Sequence, residues 1–311
     1  NKLNIDILPD LEMLPYDINP PAKAVKSLRS EIFYKIANND LNILVLNAQN
    51  LLWKIPESSF FTSNSTDLEV NQKFSVRDLK DLFSNNGFER VNVVNYPGEY
   101  SIRGSVIDFF STINKLPVRL DLFDDTIDSM RQFDLESQLT IKSIKHSKVI
   151  PADFFSKTKE QIDFFKLNFR NSYEGNQMEW PLYESIEQDY ESHGIYNYLP
   201  FFHNKTSSLL DYFDNKARFI FVGDVKESMN NYHALINSRY DDFKLEDQPM
   251  IKPSELFYEP LSQLDKVLVN NVFFLNEEKL PHHIDSNNNL DILPISFLMQ
   301  KNDNSELSNI I

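Results

Sequence analysis

The chain of 311 residues contains no cysteine. Disulfides, thiol nucleophiles and thiolate metal sites are therefore excluded, and this composition is typical of the reducing cytoplasm. No apolar run reaches the roughly 18–20 residues that a membrane-spanning helix needs. The first residues also lack the charged and apolar plan of a signal peptide. We therefore expect a cytoplasmic protein without a membrane partner.

Glycine is scarce as well, with six residues in the whole chain. Loops that cradle phosphate need glycine, because their backbone N–H groups must close around the anion. No two of these glycines have the spacing of a P-loop, and none precedes a Lys-Ser or Lys-Thr pair. The sequence therefore predicts no nucleotide-hydrolysing centre, no bound cofactor and no enzymatic activity in this chain.

Positive charge is in deficit, since the formal net charge is −15. An acidic chain repels the phosphate backbone of nucleic acids unless it carries a local basic patch. The densest basic stretch, residues 142–148, holds three lysines and one histidine and is short. A module that reads damaged DNA directly remains an alternative, but it requires such a patch and an aromatic hairpin after the first helix, and we find neither.

Apolar periodicity predicts an α/β domain that is split in the sequence. A helix is predicted over residues 22–39, followed by a strand over Leu41–Leu46 of the type buried on both faces of a parallel sheet. The same succession returns with a strand at Ala217–Val222 and a helix at Asp224–Tyr240. An apolar strand is also predicted at Val267–Leu275.

The residues between these two halves predict a small α+β domain. Ser75 and Asp78 have the spacing of a capping box, and Gly87 stands where a left-handed helix end is expected. A short strand is predicted at 91–94, and longer strands at 100–110, 118–123 and 127–133 indicate an antiparallel meander. Residues 1–64 are predicted to form the first half of the split domain, and residues 65–150 the inserted domain. Residues 151–255 then form the second half, and residues 256–311 a linker that leads toward a further domain.

Two motifs in the inserted region carry a family resemblance. The run Gly98–Phe110, Gly-Glu-Tyr-Ser-Ile-Arg-Gly-Ser-Val-Ile-Asp-Phe-Phe, and the run from Pro117 to Asp134 resemble a signature shared by UvrB and the bacterial transcription-repair coupling factors (Mfd). Segments on either side also resemble the coupling factors: Leu8–Asp17, Gly194–Phe202 and Leu209–Phe213. The resemblance implies a degenerate, split RecA-like α/β domain with an inserted UvrA-binding domain.

The function implied by this resemblance is recognition without chemistry. In the family, such a module docks UvrA and recruits nucleotide excision repair to stalled RNA polymerase, while ATP, DNA and the polymerase are engaged by other domains. The alternative is a fragment of an ATP-dependent, UvrB-type helicase or damage-loading protein. A hydrolytic motif needs a second carboxylate beside the magnesium-binding Asp, but Val225 follows Asp224. Asp224, with Glu227, is instead predicted to cap a helix.

The predicted docking residues lie on alternating strand positions. In Val118–Phe123 the even-numbered residues are apolar and should face the core, so Arg119, Asp121 and Phe123 share the opposite face. The family resemblance implies that UvrA is contacted by Arg103, Arg119 and Phe123.

Each of these three residues also has a purely structural alternative. Arg119 could form a surface salt bridge with Asp121 or Asp128. Phe123 could pack at the domain edge, and Arg103 could brace the turn at Gly104.

Overall fold

The computed structural model describes residues 3–156, 158–174, 180–187, 194–214, 216–243, 250–268 and 271–275. These residues form a mixed α/β fold that contains both parallel strand pairs and antiparallel sheets. Within this part of the chain, no helix is both long and apolar enough to cross a membrane.

The elements follow one another in three groups along the chain. Before residue 65 they are β1 (Ile5–Ile7), α1 (Lys23–Ala37), β2 (Ile43–Val45), a 3-10 helix (Ala48–Leu51), β3 (Ile55–Pro56) and α2 (Ser58–Ser63). The middle group is β4 (Thr66–Glu69), α3 (Val76–Asn85), β5 (Glu89–Arg90), β6 (Glu99–Arg103), β7 (Val106–Phe109), β8 (Val118–Phe123), β9 (Thr126–Phe133), β10 (Thr140–Ile144) and β11 (His146–Val149). The last group is α4 (Lys159–Ser172), α5 (Pro181–Glu187), a 3-10 helix (Ile195–Tyr198), α6 (Leu199–Phe202), β12 (Thr206–Ser207), a 3-10 helix (Leu209–Tyr212), β13 (Arg218–Val222), α7 (Val225–Phe243), α8 (Pro253–Leu256), α9 (Pro260–Leu268) and β14 (Asn271–Leu275).

The middle group is built on a six-stranded sheet with the order β10-β9-β8-β7-β6-β5. All neighbours are antiparallel except β5 and β6, which are parallel. The predicted meander is therefore present, but the strand predicted at 100–110 is wrong as a single element. It divides into β6 and β7 at Gly104, which has a φ of +62° that favours glycine. The strand predicted at 91–94 is also misplaced, since the pairing residues are Glu89 and Arg90.

Helix α3 packs on one face of this sheet through aromatic side chains. Its start was predicted correctly, because Ser75 Oγ accepts a hydrogen bond from the Asp78 N–H at 3.1 Å and Asp78 accepts from the Ser75 N–H at 2.9 Å. The ring of Phe83 lies 5.2 Å from that of Tyr100 and 5.0 Å from that of Phe109, between centroids. Just beyond α3, Gly87 has a φ of +76°, as the sequence predicts for the residue that turns the chain away from a helix.

A second hydrophobic core joins the first group of elements to the last. Phe33 of α1 packs against Phe61 of α2, at 5.6 Å between ring centroids, and also against Phe154 and Tyr212 at 5.2 and 5.7 Å. Tyr16 donates a hydrogen bond to the carbonyl of Ile251 at 3.1 Å. The two ends of the described chain thus share one core, while the middle group has its own.

The chain passes between these two cores along adjacent strands. β4 leads into the middle group and β11 leads out of it, and they pair antiparallel from Thr66 opposite Val149 to Glu69 opposite His146. A salt bridge of 2.7 Å between Lys148 and Asp67 lies along this ladder.

Two predictions about the strands of the outer groups need correction. Strands β1 and β2 pair parallel, as do β13 and β14, but neither β2 nor β13 is buried on both faces. Ile220 is 62% exposed and Val45 is 50% exposed, because each described parallel sheet has only two strands. The strand predicted at 267–275 is also wrong in part, since Val267 and Leu268 end helix α9. The remainder of the predicted 256–311 region, from residue 276 onward, lies outside the described residues.

Candidate protein-docking face

The six-stranded sheet has an outer face opposite α3, and the three predicted docking residues all lie on it. We define the outer face by five residues of β6, β7 and β8 that alternate with the core residues packed on the α3 side of the sheet: Arg103, Asp108, Arg119, Asp121 and Phe123. The alternation predicted for β8 is present, since Val118, Leu120 and Leu122 are buried in the same core as Phe83 of α3. The register then sets Arg119 opposite Asp108, and Asp121 opposite Val106.

Phe123 is the most exposed large apolar side chain of this face, with 73% of its surface in solvent. It is the last residue of β8 and pairs with Thr126 across the turn at Asp124 and Asp125. The alternative that Phe123 packs at a domain edge is therefore wrong. Exposure of a phenylalanine in this way leaves apolar surface that a partner can cover, with a gain of roughly 25 cal/mol per Å².

Arg103 and Arg119 are brought together by one buried carboxylate. Asp108 is 1% exposed, and its Oδ2 accepts from Arg103 Nη2 at 2.5 Å. The same carboxylate accepts from Arg119 Nε at 2.6 Å and from Arg119 Nη2 at 2.9 Å. The partner predicted for Arg119 in the structural alternative, Asp121 or Asp128, is therefore wrong; the partner is Asp108 on the neighbouring strand.

Arg119 is held on several sides. Its guanidinium carbon lies 4.5 Å from the centre of the Phe133 ring, and its Nη2 lies 3.3 Å from Gln138 Oε1. Only 18% of the side chain is exposed. The hydrogen bonds to Asp108 raise the pKa of Arg119 further above its ordinary value, so the guanidinium is a permanent cation.

Arg103 is less confined. Its Nη2 bonds to Asp108, but 46% of its side chain remains in solvent. It lies at the end of β6, beside the Gly104 turn, where an added Cβ on residue 104 would meet no atom within 4 Å. Arg103 therefore combines a bond to Asp108 on the neighbouring strand with an exposed cationic surface, and its bracing of the turn at Gly104 stays a prediction.

A second ion pair extends the outer face toward β9. Arg131 Nη2 lies 2.5 Å from Asp121 Oδ2, and Ser129 donates to the same oxygen at 2.8 Å. Sequence reasoning missed both Asp108 and Arg131. Only the strand register shows that they face the predicted residues, although Asp108 stands within the recognised motif.

The site considered for nucleotide chemistry is different in character. Asp224 Oδ1 accepts from the Glu227 N–H at 2.8 Å at the start of α7, which confirms the predicted helix cap. An open cavity of about 520 Å³ beside it is lined by both carboxylates together with Gln49 and Tyr232. Negative charge here opposes phosphate binding. Among the described residues, no group of three or more His, Asp or Glu side chains is placed to hold a metal ion.

A known protein domain matches the region of the chain that carries this face. Residues 66–155 match the UvrB interaction domain. The match covers the whole six-stranded sheet, from β5 to β10, and thus the entire outer face.

The chain as a whole is similar to transcription-repair-coupling factors. It is 28% identical to that of Escherichia coli over 252 residues, which cover 80% of this chain and 22% of the relative. It is 29% identical to that of Rickettsia bellii over 283 residues, covering 88% and 25%. With the Staphylococcus haemolyticus protein it shares 23% identity over 78% of the chain. The resemblance predicted from the sequence is confirmed, and the chain spans a quarter or less of these relatives' length.

Proposed function

We propose that this chain is a non-catalytic, UvrB-like module of a transcription-repair coupling factor that docks UvrA through its outer face. By this docking it recruits nucleotide excision repair to stalled RNA polymerase. The observation that carries the proposal is that the exposed Phe123 and the cationic Arg103 lie on the same face of a sheet that matches the UvrB interaction domain.

The chemistry of the face fits a protein partner. Interface hot spots combine aromatic and arginine side chains that fill pockets on the partner. Here Phe123 supplies the apolar contact, and Arg103 and Arg119 supply cationic donors that match carboxylates in a forked geometry. The outer face holds two guanidinium groups and two carboxylates, and Arg131 of the adjoining strand β9 adds a third guanidinium, although the whole chain has a net charge of −15. Electrostatic steering would therefore favour an acidic patch on UvrA.

The first and last groups of elements form, in this proposal, a degenerate RecA-like domain split by the inserted docking domain. Support comes from the shared core of these groups and from their parallel strand pairs. ATP hydrolysis and the contacts to DNA and RNA polymerase would belong to other parts of a longer protein. A cytoplasmic location and the absence of a cofactor in this chain are parts of the same proposal.

The direct test is calorimetric titration of the chain with purified UvrA. We expect binding, and we expect Phe123→Ala and Arg103→Ala each to weaken it by at least about tenfold, the effect of losing an interface anchor. Matched controls are Leu261→Ala, which removes a comparably exposed apolar side chain from α9, and Arg77→Ala, which removes a surface arginine of α3.

Two results would contradict this proposal. One is no binding of UvrA by the folded wild-type chain, and the other is equal losses in the control variants. The ATPase alternative is tested in parallel by titration with Mg-ATP. Measurable nucleotide affinity that Asp224→Asn removes would favour a UvrB-type motor fragment.

A further inference from the structure

Asp108 is the buried centre of the outer face. Burial of a carboxylate is costly unless cations and hydrogen bonds compensate it. Here the compensation comes from three donated hydrogen bonds of 2.5–2.9 Å, one from Arg103 and two from Arg119. The two guanidinium groups are therefore not independent, since each is oriented by the same carboxylate.

The two arginines use this carboxylate differently. Arg119 commits two of its nitrogens to Asp108, lies over Phe133 and reaches Gln138, so little of it faces solvent. Arg103 commits Nη2 to Asp108 and keeps nearly half of its side chain exposed. A partner that approaches the face meets Phe123 and Arg103 before it meets Arg119.

The geometry points to Asp108 as a positioning residue of the docking face, which with Arg119 beneath it holds the Arg103 guanidinium in the orientation that UvrA binds. Arg119 then acts chiefly through Asp108 and offers UvrA only the small exposed part of its side chain, whereas Arg103 and Phe123 make the main outward contacts. This inference deepens the proposed function and rests on it.

The direction in which Asp108→Asn changes the affinity for UvrA distinguishes a positioning role of Asp108 from a purely electrostatic one. If Asp108 only competes with carboxylates of UvrA for the two arginines, Asp108→Asn makes the face more positive and strengthens binding. If Asp108 positions Arg103, the same change frees the guanidinium, and the entropy of ordering it is then lost on binding. Positioning therefore predicts weaker binding despite the gain in net positive charge.

The experiment is calorimetric titration of the full chain with purified UvrA, in wild type, Asp108→Asn, Arg103→Ala and the double variant. We expect Asp108→Asn to weaken binding by about tenfold, the equivalent of about 1.4 kcal/mol. We expect the double variant to bind as Arg103→Ala does, because an effect that passes through Arg103 vanishes when Arg103 is absent. Asp67→Asn, which removes a carboxylate from the Lys148 salt bridge outside this face, serves as control and should bind as wild type.

A second variant guards against misfolding of Asp108→Asn. Arg119→Lys keeps the charge but loses the planar fork that binds Asp108 and stacks on Phe133. We expect it to weaken UvrA binding about as much as Asp108→Asn does, with thermal unfolding confirming that it is folded.

Three outcomes overturn the positioning role: wild-type or tighter binding by Asp108→Asn, wild-type binding by Arg119→Lys, or additive losses in the double variant. All three presuppose that wild type binds and that Phe123→Ala loses affinity. Failure of the inference is thereby distinguished from failure of the proposed function.

Discussion

Arg29 of α1 donates a hydrogen bond from Nη1 to Oδ1 of Asn50 at 2.7 Å inside the larger core. Asn50 in turn donates to Asp10 Oδ1 at 2.9 Å, so a short polar chain links α1 to the segment after β1. Burial lowers the pKa of Arg29 to about 10, which still leaves it charged at neutral pH. The core therefore contains a cation whose acceptors cannot be removed without a cost.

We predict that Asn50→Ala destabilises the fold by about 1–3 kcal/mol, the range for leaving a buried donor without its acceptor. The free energy of unfolding in urea measures this loss. Asn237→Ala on the exposed side of α7 is the matched control and should change it little. Equal stability of Asn50→Ala and wild type would contradict a structural role for the Arg29–Asn50 bond.

A pH dependence is expected from His203. Burial lowers its pKa to about 4, although its ring also contacts the Phe154 carbonyl at 2.8 Å. The unfolded chain takes up the proton near the ordinary value of 6.5, before the folded chain does. Stability is therefore complete above that value and falls as the pH decreases from 6.5 toward 4.

Between pH 7 and pH 5, protonation of His203 in the unfolded chain should lower the free energy of unfolding by about 2 kcal/mol, since a tenfold change in proton affinity corresponds to about 1.4 kcal/mol. Urea unfolding at both pH values measures it. The free energy of unfolding of His203→Gln should fall by about 2 kcal/mol less than that of wild type between pH 7 and pH 5. His146→Gln, which removes a histidine at an exposed position of β11, is the control.

Two glycines with positive φ allow the backbone strain of a Gly→Ala substitution to be compared with its steric cost, both as losses of stability. An added Cβ on Gly104 meets nothing within 4 Å, whereas on Gly87 it lies 3.1 Å from the Phe155 carbonyl oxygen. Gly104→Ala should therefore cost about 1 kcal/mol, the left-handed backbone alone. Gly87→Ala should cost at least about 1 kcal/mol more, measured as the difference in free energy of unfolding. The reverse order would show that the neighbourhood of Gly87 can relax around a methyl group.

The predicted inserted domain should fold by itself. Its core is separate from the larger one, and its ends lie side by side on β4 and β11. An excised fragment should extend to residue 152, because Ala152 packs in this core and donates to the Asn86 carbonyl at 2.8 Å. We expect one cooperative thermal transition by circular dichroism. Phe83→Ala in the same fragment should lower its stability by about 3–5 kcal/mol, and a non-cooperative wild-type melt would refute the boundaries.

The sequence predicts those structural features that depend on residues close together in the chain better than those that depend on distant residues. The side-chain alternation of β8 and the Ser75 cap follow from neighbouring residues, and both were predicted. The pairing of Arg119 with Asp108 depends on which residues oppose each other across two strands, a register that composition does not reveal. The break at Gly104 was also missed, although the core-facing residues change there from the even-numbered Tyr100 and Ile102 to the odd-numbered Ile107 and Phe109, because both strands are apolar enough to read as one run.

The apolar runs at β2 and β13 show a different limit. A continuous apolar run indicates a strand buried on both faces only if further elements cover it. In the described residues each run has one parallel neighbour, and side chains such as Val45 and Ile220 remain in solvent. The run therefore predicted the parallel pairing correctly and the degree of burial wrongly.

The paired strands β4 and β11 have a mechanical consequence for a docking module. A single linker would let the docking face swivel freely, whereas two adjacent strands cross-linked along four residue pairs resist twisting and share any tension between two covalent paths. If a partner binds at Phe123 as proposed, a load applied there would reach the larger core through this paired connection. In the proposed docking, this doubled connection would transmit both force and orientation from the bound partner to the larger core.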